Sequence, residues 1–206
     1  YTVDENWVIP HFEKMLYDNT QFILLISKYC KINSETYYKY KLEKTVEFLK
    51  KNFINREGFF GSAYDADSDG IEGKYYVFNY EEIKDIEYIE KYFEIKAEGN
   101  WENKIILIER EKPNEDIIKK LFEIRSKRNK PFFDDKTQLD LNCIMISALV
   151  SANEILPKNN YLKFAEELFL RIEKKYIKNK IYHSFSKDIV FIEDYAFLIN
   201  ALNDLY

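Results

Sequence analysis

The sequence predicts an all-α fold in which paired helices close into an (α/α) toroid, and three observations carry that prediction. Apolar residues recur at helical spacing through five long segments. The segments alternate, one apolar on nearly every side being followed by one with a single apolar stripe. Four of the five glycines are confined to residues 58–78, so the long segments are almost free of them.

The first helix is predicted over residues 11–30. Phe12, Met15, Leu16, Ile23, Ile26 and Cys30 recur at helical spacing there, and Phe22, Leu24 and Leu25 add apolar surface on other sides. The second, over 35–53, has one stripe of Tyr38, Leu42, Val46, Leu49 and Phe53 amid lysines and glutamates. The pair repeats as an apolar helix over 139–156 and an amphipathic one over 161–176. A third apolar helix is predicted over 191–205. A buried helix followed by a half-wet one suits inner and outer rings, and the pattern also admits a helical bundle or an α-solenoid. Residues 58–78 read as a β-hairpin insertion with a long acidic tip. A short strand is expected at 105–108, a helix at 114–127, and a turn with a strand at 180–185. The chain begins at Tyr1 without a methionine and ends inside a helical pattern, so residues 1–206 read as one incomplete toroid cut from a longer protein.

Composition narrows the function. The net charge is −5 with both signs interspersed, and no basic tract offers a nucleic-acid footprint. No membrane-length apolar run or signal peptide is present. The two cysteines, Cys30 and Cys143, lie far apart in apolar runs and read as buried thiols in a reducing, cytoplasmic setting. Phe, Tyr and Trp make up 17% of the chain. Most serve the core, although tyrosines also suit sugar-type pockets.

Polar or acidic groups mark the entries to the apolar helices: His11 and Glu13, Asp134 and Asp135, and Glu193 and Asp194. Helix capping accounts for each pair taken alone. Inner helices running parallel around a ring would instead gather them at one mouth, as acid/base chemistry on a sugar needs. The Asp65-Ala66-Asp67-Ser68-Asp69-Gly70 loop has the spacing of half a calcium loop, but Tyr76 stands where a bidentate glutamate is needed. It reads as a turn or as a pocket-lining acidic loop with Glu72 and Lys74. The two histidines, His11 and His183, are too far apart in sequence to make a metal site by spacing, and no metal or cofactor is expected.

Four ordered motifs carry a resemblance. They are Val3–Asn19, containing Trp7-Val8-Ile9-Pro10-His11-Phe12-Glu13-Lys14-Met15-Leu16-Tyr17-Asp18; Gly58–Phe78; Asp134-Asp135-Lys136 with Asn142; and Glu193-Asp194-Tyr195-Ala196. Together they resemble the thioredoxin domain-containing family that includes spermatogenesis-associated protein 20. The sequence departs from that pattern at Asp69, Phe78, Leu141 and Cys143.

The richness in Lys, Ile, Asn, Tyr and Phe suggests a bacterial source. The resemblance implies a six-hairpin, glycosidase-like (α/α)6 toroid, with a thioredoxin-like domain elsewhere in the full-length chain as its partner. It also implies carbohydrate-type acid/base chemistry, of glycoside hydrolase or N-acylglucosamine 2-epimerase kind, with a non-catalytic binding or scaffold domain as the alternative. The catalytic candidates are His11, Glu13, Asp65, Asp67, Asp134, Asp135, Glu193 and Asp194. Trp7, Tyr17, Asp18, Glu72, Lys74, Lys136, Asn142 and Tyr195 are the candidates for holding a small sugar-like ligand.

Overall fold

The computed structural model describes residues 2–177, 180–184 and 189–206. About half the chain is helical, in eight α-helices among the described residues: α1 (Leu16–Ile32), α2 (Thr36–Asn52), α3 (Tyr80–Ile83), α4 (Ile89–Tyr92), α5 (Glu115–Ser126), α6 (Leu139–Ile155), α7 (Tyr161–Tyr176) and α8 (Ile192–Leu205). None is long and apolar enough to cross a membrane. The chain falls into two compact units, one of Tyr1–Lys14 with Tyr64–Phe132, the other of Met15–Ala63 with Phe133–Tyr206. The single domain read from the sequence showed no compositional break at these joints.

In the helical unit α6 is the central element, packed by α1, α7 and α8. It buries ten residues, Leu139, Cys143, Met145, Ile146 and Leu149 among them, which is why its sequence is apolar on nearly every side. Each large aliphatic side chain so buried contributes about 1.5–3 kcal/mol over leaving it in water. At its end Pro157 lacks the N–H that another turn would need, and Asn160 takes a left-handed φ of 55° that turns the chain into α7. The α7 stripe of Tyr161, Ala165, Leu168, Ile172 and Tyr176 is its buried face. Gly61 sits where a Cβ would come within 2.9 Å of the Asp134 carbonyl oxygen, so a side chain there would drive apart the segments joined by the Ser62 N–H and that oxygen.

Two of the expected long helices are corrected. The first helix starts at Leu16, not at residue 11. Phe12, read as its opening apolar position, belongs to the other unit, where it packs with Val77 and Ile106. The last helix was expected to be an inner one, yet α8 buries only Asp194, Leu198 and Ala201, fewer residues than the outer-type α7. Its Ile192, Tyr195, Ile199 and Leu202 are exposed.

The other unit has its own core of Phe78, Ile83, Ile86, Ile89, Phe93, Ile105, Ile117 and Leu121. Helix α5 docks through Ile117 and Leu121 and is capped by the Asn114 side chain. The short α3 and α4 escaped the sequence because four residues do not establish a helical period. The expected strand at 105–108 is displaced: Ile108–Glu109 pairs with Phe93–Glu94, while Ile105 only bridges Phe78. The long hairpin expected over 58–78 is not formed. Asp67–Ser68 pairs with Ile71–Glu72 across Asp69 and Gly70, both at positive φ as a tight hairpin turn requires. Beyond it the N–H groups of Tyr76 and Val77 both bond to the Gly73 carbonyl, so the aromatic run curls instead of extending. The strand expected at 180–185 lies partly outside the described residues, with Ile181 bridging Ile177.

Candidate functional site

The helical unit assembles a polar cluster where α6 and α8 begin. Gln138 precedes α6, Asp140 occupies its first turn, and Asp194 lies in the first turn of α8. His183 is supplied by the segment between α7 and α8, which is tied to both sides: its carbonyl accepts the Leu139 N–H at 2.9 Å, and its own N–H bonds to the Ile189 carbonyl at 2.9 Å. Asp194 is fully buried. Its Oδ1 lies 2.9 Å from His183 Nδ1, and its Oδ2 accepts the Phe191 N–H at 2.8 Å. The Phe191 ring stands edge-on to the imidazole, 4.8 Å between centroids.

These contacts determine the tautomer. Asp194 accepts the Nδ1–H, which leaves Nε2 of the neutral ring as an acceptor, and the Gln138 amide nitrogen lies 3.0 Å from it. The Gln138 amide oxygen in turn accepts the Ser62 hydroxyl at 3.0 Å, which orients the amide with its nitrogen toward Nε2.

Asp140 Oδ1 stands 3.9 Å from His183 Nδ1. Burial raises the Asp140 pKa above its ordinary value, with Asp194 adding repulsion and His183 opposing it. Cys143, one turn further along α6, is pushed up to about 12 by burial and by these two carboxylates, so it stays a thiol. Asp140, His183 and Asp194 are the one group among the described residues whose donor atoms lie close enough to share a metal ion, within 4.8 Å of one another. The Nδ1–H to Asp194 hydrogen bond already spans the closest of those approaches.

Beside the dyad opens a cavity of about 680 Å³, lined by Asn55, Arg56, Glu57, Asp135, Lys136, Thr137, Gln138, His183, Ser184, Ile189 and Phe191. Of the residues singled out in the sequence, Asp135 and Lys136 line it, and Asp194 stands behind His183. The Asp134 carboxylate is held by the Lys136 ammonium at 2.9 Å. Tyr17, Asp18, Glu193 and Tyr195 are exposed and do not line the cavity. Asn142, expected to hold ligand, is corrected to a structural role: it is fully buried and bonds to both backbone groups of Phe60.

The remaining candidates lie in the other unit. There His11 Nε2 meets Glu13 Oε2 at 3.1 Å, Asp65 accepts the Asp67 N–H at 3.2 Å, and Lys74 pairs with Asp69 at 2.8 Å. Glu72 is exposed, and Trp7 is 78% exposed.

His183, Gln138 and Asp140 were missed as site residues. His183 lies 45 residues from Gln138 and 11 from Asp194, separations with no helical or strand period. The one available signal was a histidine shortly before a helix that opens with two acids.

Comparison with known proteins agrees in part with the resemblance read from the motifs. The chain is 26% identical to an uncharacterized protein of Caenorhabditis elegans and 23% identical to human and rat spermatogenesis-associated protein 20. Each match covers all of this chain but only 34–36% of the relative, so the chain spans about a third of the length of the curated relatives it matches. No family model matches the chain.

Proposed function

We propose that the helical unit is part of an (α/α) toroid that performs acid/base chemistry on a sugar-type ligand, with His183 as the base and Asp194 as the group that orients it. The observation that carries this reading is the imidazole on the wall of a cavity with a fully buried carboxylate on its Nδ1–H. Of the two sugar chemistries considered, epimerisation fits better than hydrolysis. Hydrolysis needs two carboxyl groups facing the scissile bond, whereas Asp194 is fully buried and both its oxygens accept hydrogen bonds.

In this reading the substrate displaces the Gln138 amide, and Nε2 takes the proton from the carbon beside the carbonyl of an open-chain sugar. The electron pair passes to the carbonyl oxygen, and the Asp194 carboxylate stabilises the imidazolium. Rotation of the resulting enolate turns its other face to the imidazolium, and return of the proton there gives the epimer. The exposed Asp135 carboxylate supplies a partner for a sugar hydroxyl.

The buried, unpaired Cys30 and Cys143 accord with a reducing compartment such as the cytoplasm. A thioredoxin-like domain falls in the part of a full-length chain that these residues do not span.

The test is deuterium exchange at C-2 of N-acylglucosamines and related sugars, followed by proton NMR in D2O. Exchange that falls roughly a hundredfold or more in His183→Asn supports the reading. Absence of exchange by the native chain across the panel rejects it.

A non-catalytic scaffold is the second reading. It is favoured by the number of ties that His183 makes: two through its backbone, one through each ring nitrogen. Under that reading His183→Asn lowers stability, and the native chain exchanges nothing.

A further inference from the structure

Acids outnumber bases in this chain, 36 Asp and Glu against 31 Lys and Arg. Even so, two largely buried cations in the smaller unit, Lys14 and Arg125, have no carboxylate partner among the described residues. Lys14 Nζ donates to the Phe12 carbonyl at 3.2 Å and lies 3.3 Å from the centre of the Tyr76 ring. The Tyr76 ring meets that of Tyr75 edge-on at 5.1 Å, and the Arg125 guanidinium lies over Tyr75 at 5.3 Å. Arg125 Nε is buried with no hydrogen-bond partner.

Aromatic faces offset part of the cost of burying a cation. They give nothing to a buried N–H, and an unpaired one costs about 1–3 kcal/mol. Neighbouring buried cations also repel, and Arg125 is one cause of the lowered Lys14 pKa. What the pair lacks is an anion with several acceptor oxygens. A guanidinium fork and an ammonium suit an oxyanion, and a bound phosphate would hold the proton on Lys14 and so be met by two positive charges.

We propose that Lys14 and Arg125, set about the Tyr75 and Tyr76 rings, form a binding site for the phosphate group of a small phosphorylated ligand. The site stands independently of the reading given to His183. Arg128 shows the contrast. Its two terminal nitrogens bond to the carbonyls of Lys74, Tyr75 and Val77 and to both oxygens of Glu82, so its fork is already occupied by oxygen acceptors.

The experiment uses the whole chain and inorganic phosphate at constant ionic strength, with acetate and an unphosphorylated hexose as controls and a hexose phosphate as a further arm. Calorimetry should show saturable phosphate binding with Kd below roughly 1 mM and little response to acetate. Tighter binding of the hexose phosphate identifies an ester as the ligand, and equal binding identifies free phosphate. Lys14→Met and Arg125→Met should each weaken phosphate binding by roughly tenfold or more.

Because either variant could unfold, a second measurement uses the native chain. Phosphate should slow amine-reactive labelling of Lys14, read by mass spectrometry, with other lysines unaffected. No saturable binding, or labelling of Lys14 that phosphate leaves unchanged, overturns the proposal.

Discussion

Asn142 and Phe60, 82 residues apart, are joined twice: the Phe60 N–H donates to Asn142 Oδ1 at 2.9 Å, and Asn142 Nδ2 donates to the Phe60 carbonyl at 3.0 Å. A helix side chain here does the work of a neighbouring strand for a fully buried residue. Asn142→Ala leaves both backbone groups unpaired, and the expected loss is about 2–4 kcal/mol in urea unfolding. A loss under about 1 kcal/mol would show that water replaces the amide.

The raised pKa of Asp140 makes stability depend on pH. The folded chain keeps this proton to higher pH than the unfolded chain, whose ordinary value is 3.8. Stability therefore falls as pH rises from 3.8 to the raised value, and the penalty persists above it. Asp140→Asn keeps the acceptor for the Leu141 N–H and removes the titration. The variant should gain stability over the native chain above that window, the gap closing as the pH drops below it. A gap independent of pH contradicts this.

Lys14 gives a slope of the opposite sign. Burial, with Arg125, lowers its pKa from 10.5 to about 7, although the Tyr76 face favours the charged form. Between those values the unfolded chain binds the proton and the folded chain does not, so stability rises with pH across that window. Comparing Lys14→Met with the native chain in unfolding experiments from neutral to alkaline pH should show the native chain gaining on the variant.

Two apolar stripes are exposed on the helical unit: Phe22, Leu25, Tyr29 and Ile32 on α1, and Ile192, Tyr195, Ile199 and Leu202 on α8. Contiguous apolar surface of this kind promotes association. The isolated chain should bind a hydrophobic dye and self-associate. Leu25→Glu with Ile199→Glu should reduce dye fluorescence by more than half at unchanged helicity. A monodisperse native chain that does not bind dye would contradict this.

The acidic loop should not bind calcium at micromolar concentration. The Asp69 carboxylate is taken by Lys74 and Asn129 at 2.8 Å each, and Asp65 accepts the Asp67 N–H. Calorimetric titration with calcium is the check, and a micromolar affinity that Asp67→Asn abolishes would refute it.

The sequence by itself determined the long helices, because helical periodicity is local and strong over sixteen or seventeen residues: α7 spans the predicted 161–176 and α6 begins at the predicted Leu139. It also marked Asp194, through an acidic opening before an apolar helix. Only the tertiary structure decided which face of α8 is covered, that Phe12 leaves the first helix for another core, and that Asn142 serves Phe60. It alone brought His183 to Asp194 and Gln138, since hydrogen-bond partners recruited from three segments leave no period in any one of them. Burial and pairing across such distances depend on which surfaces meet, and that information is absent from local spacing.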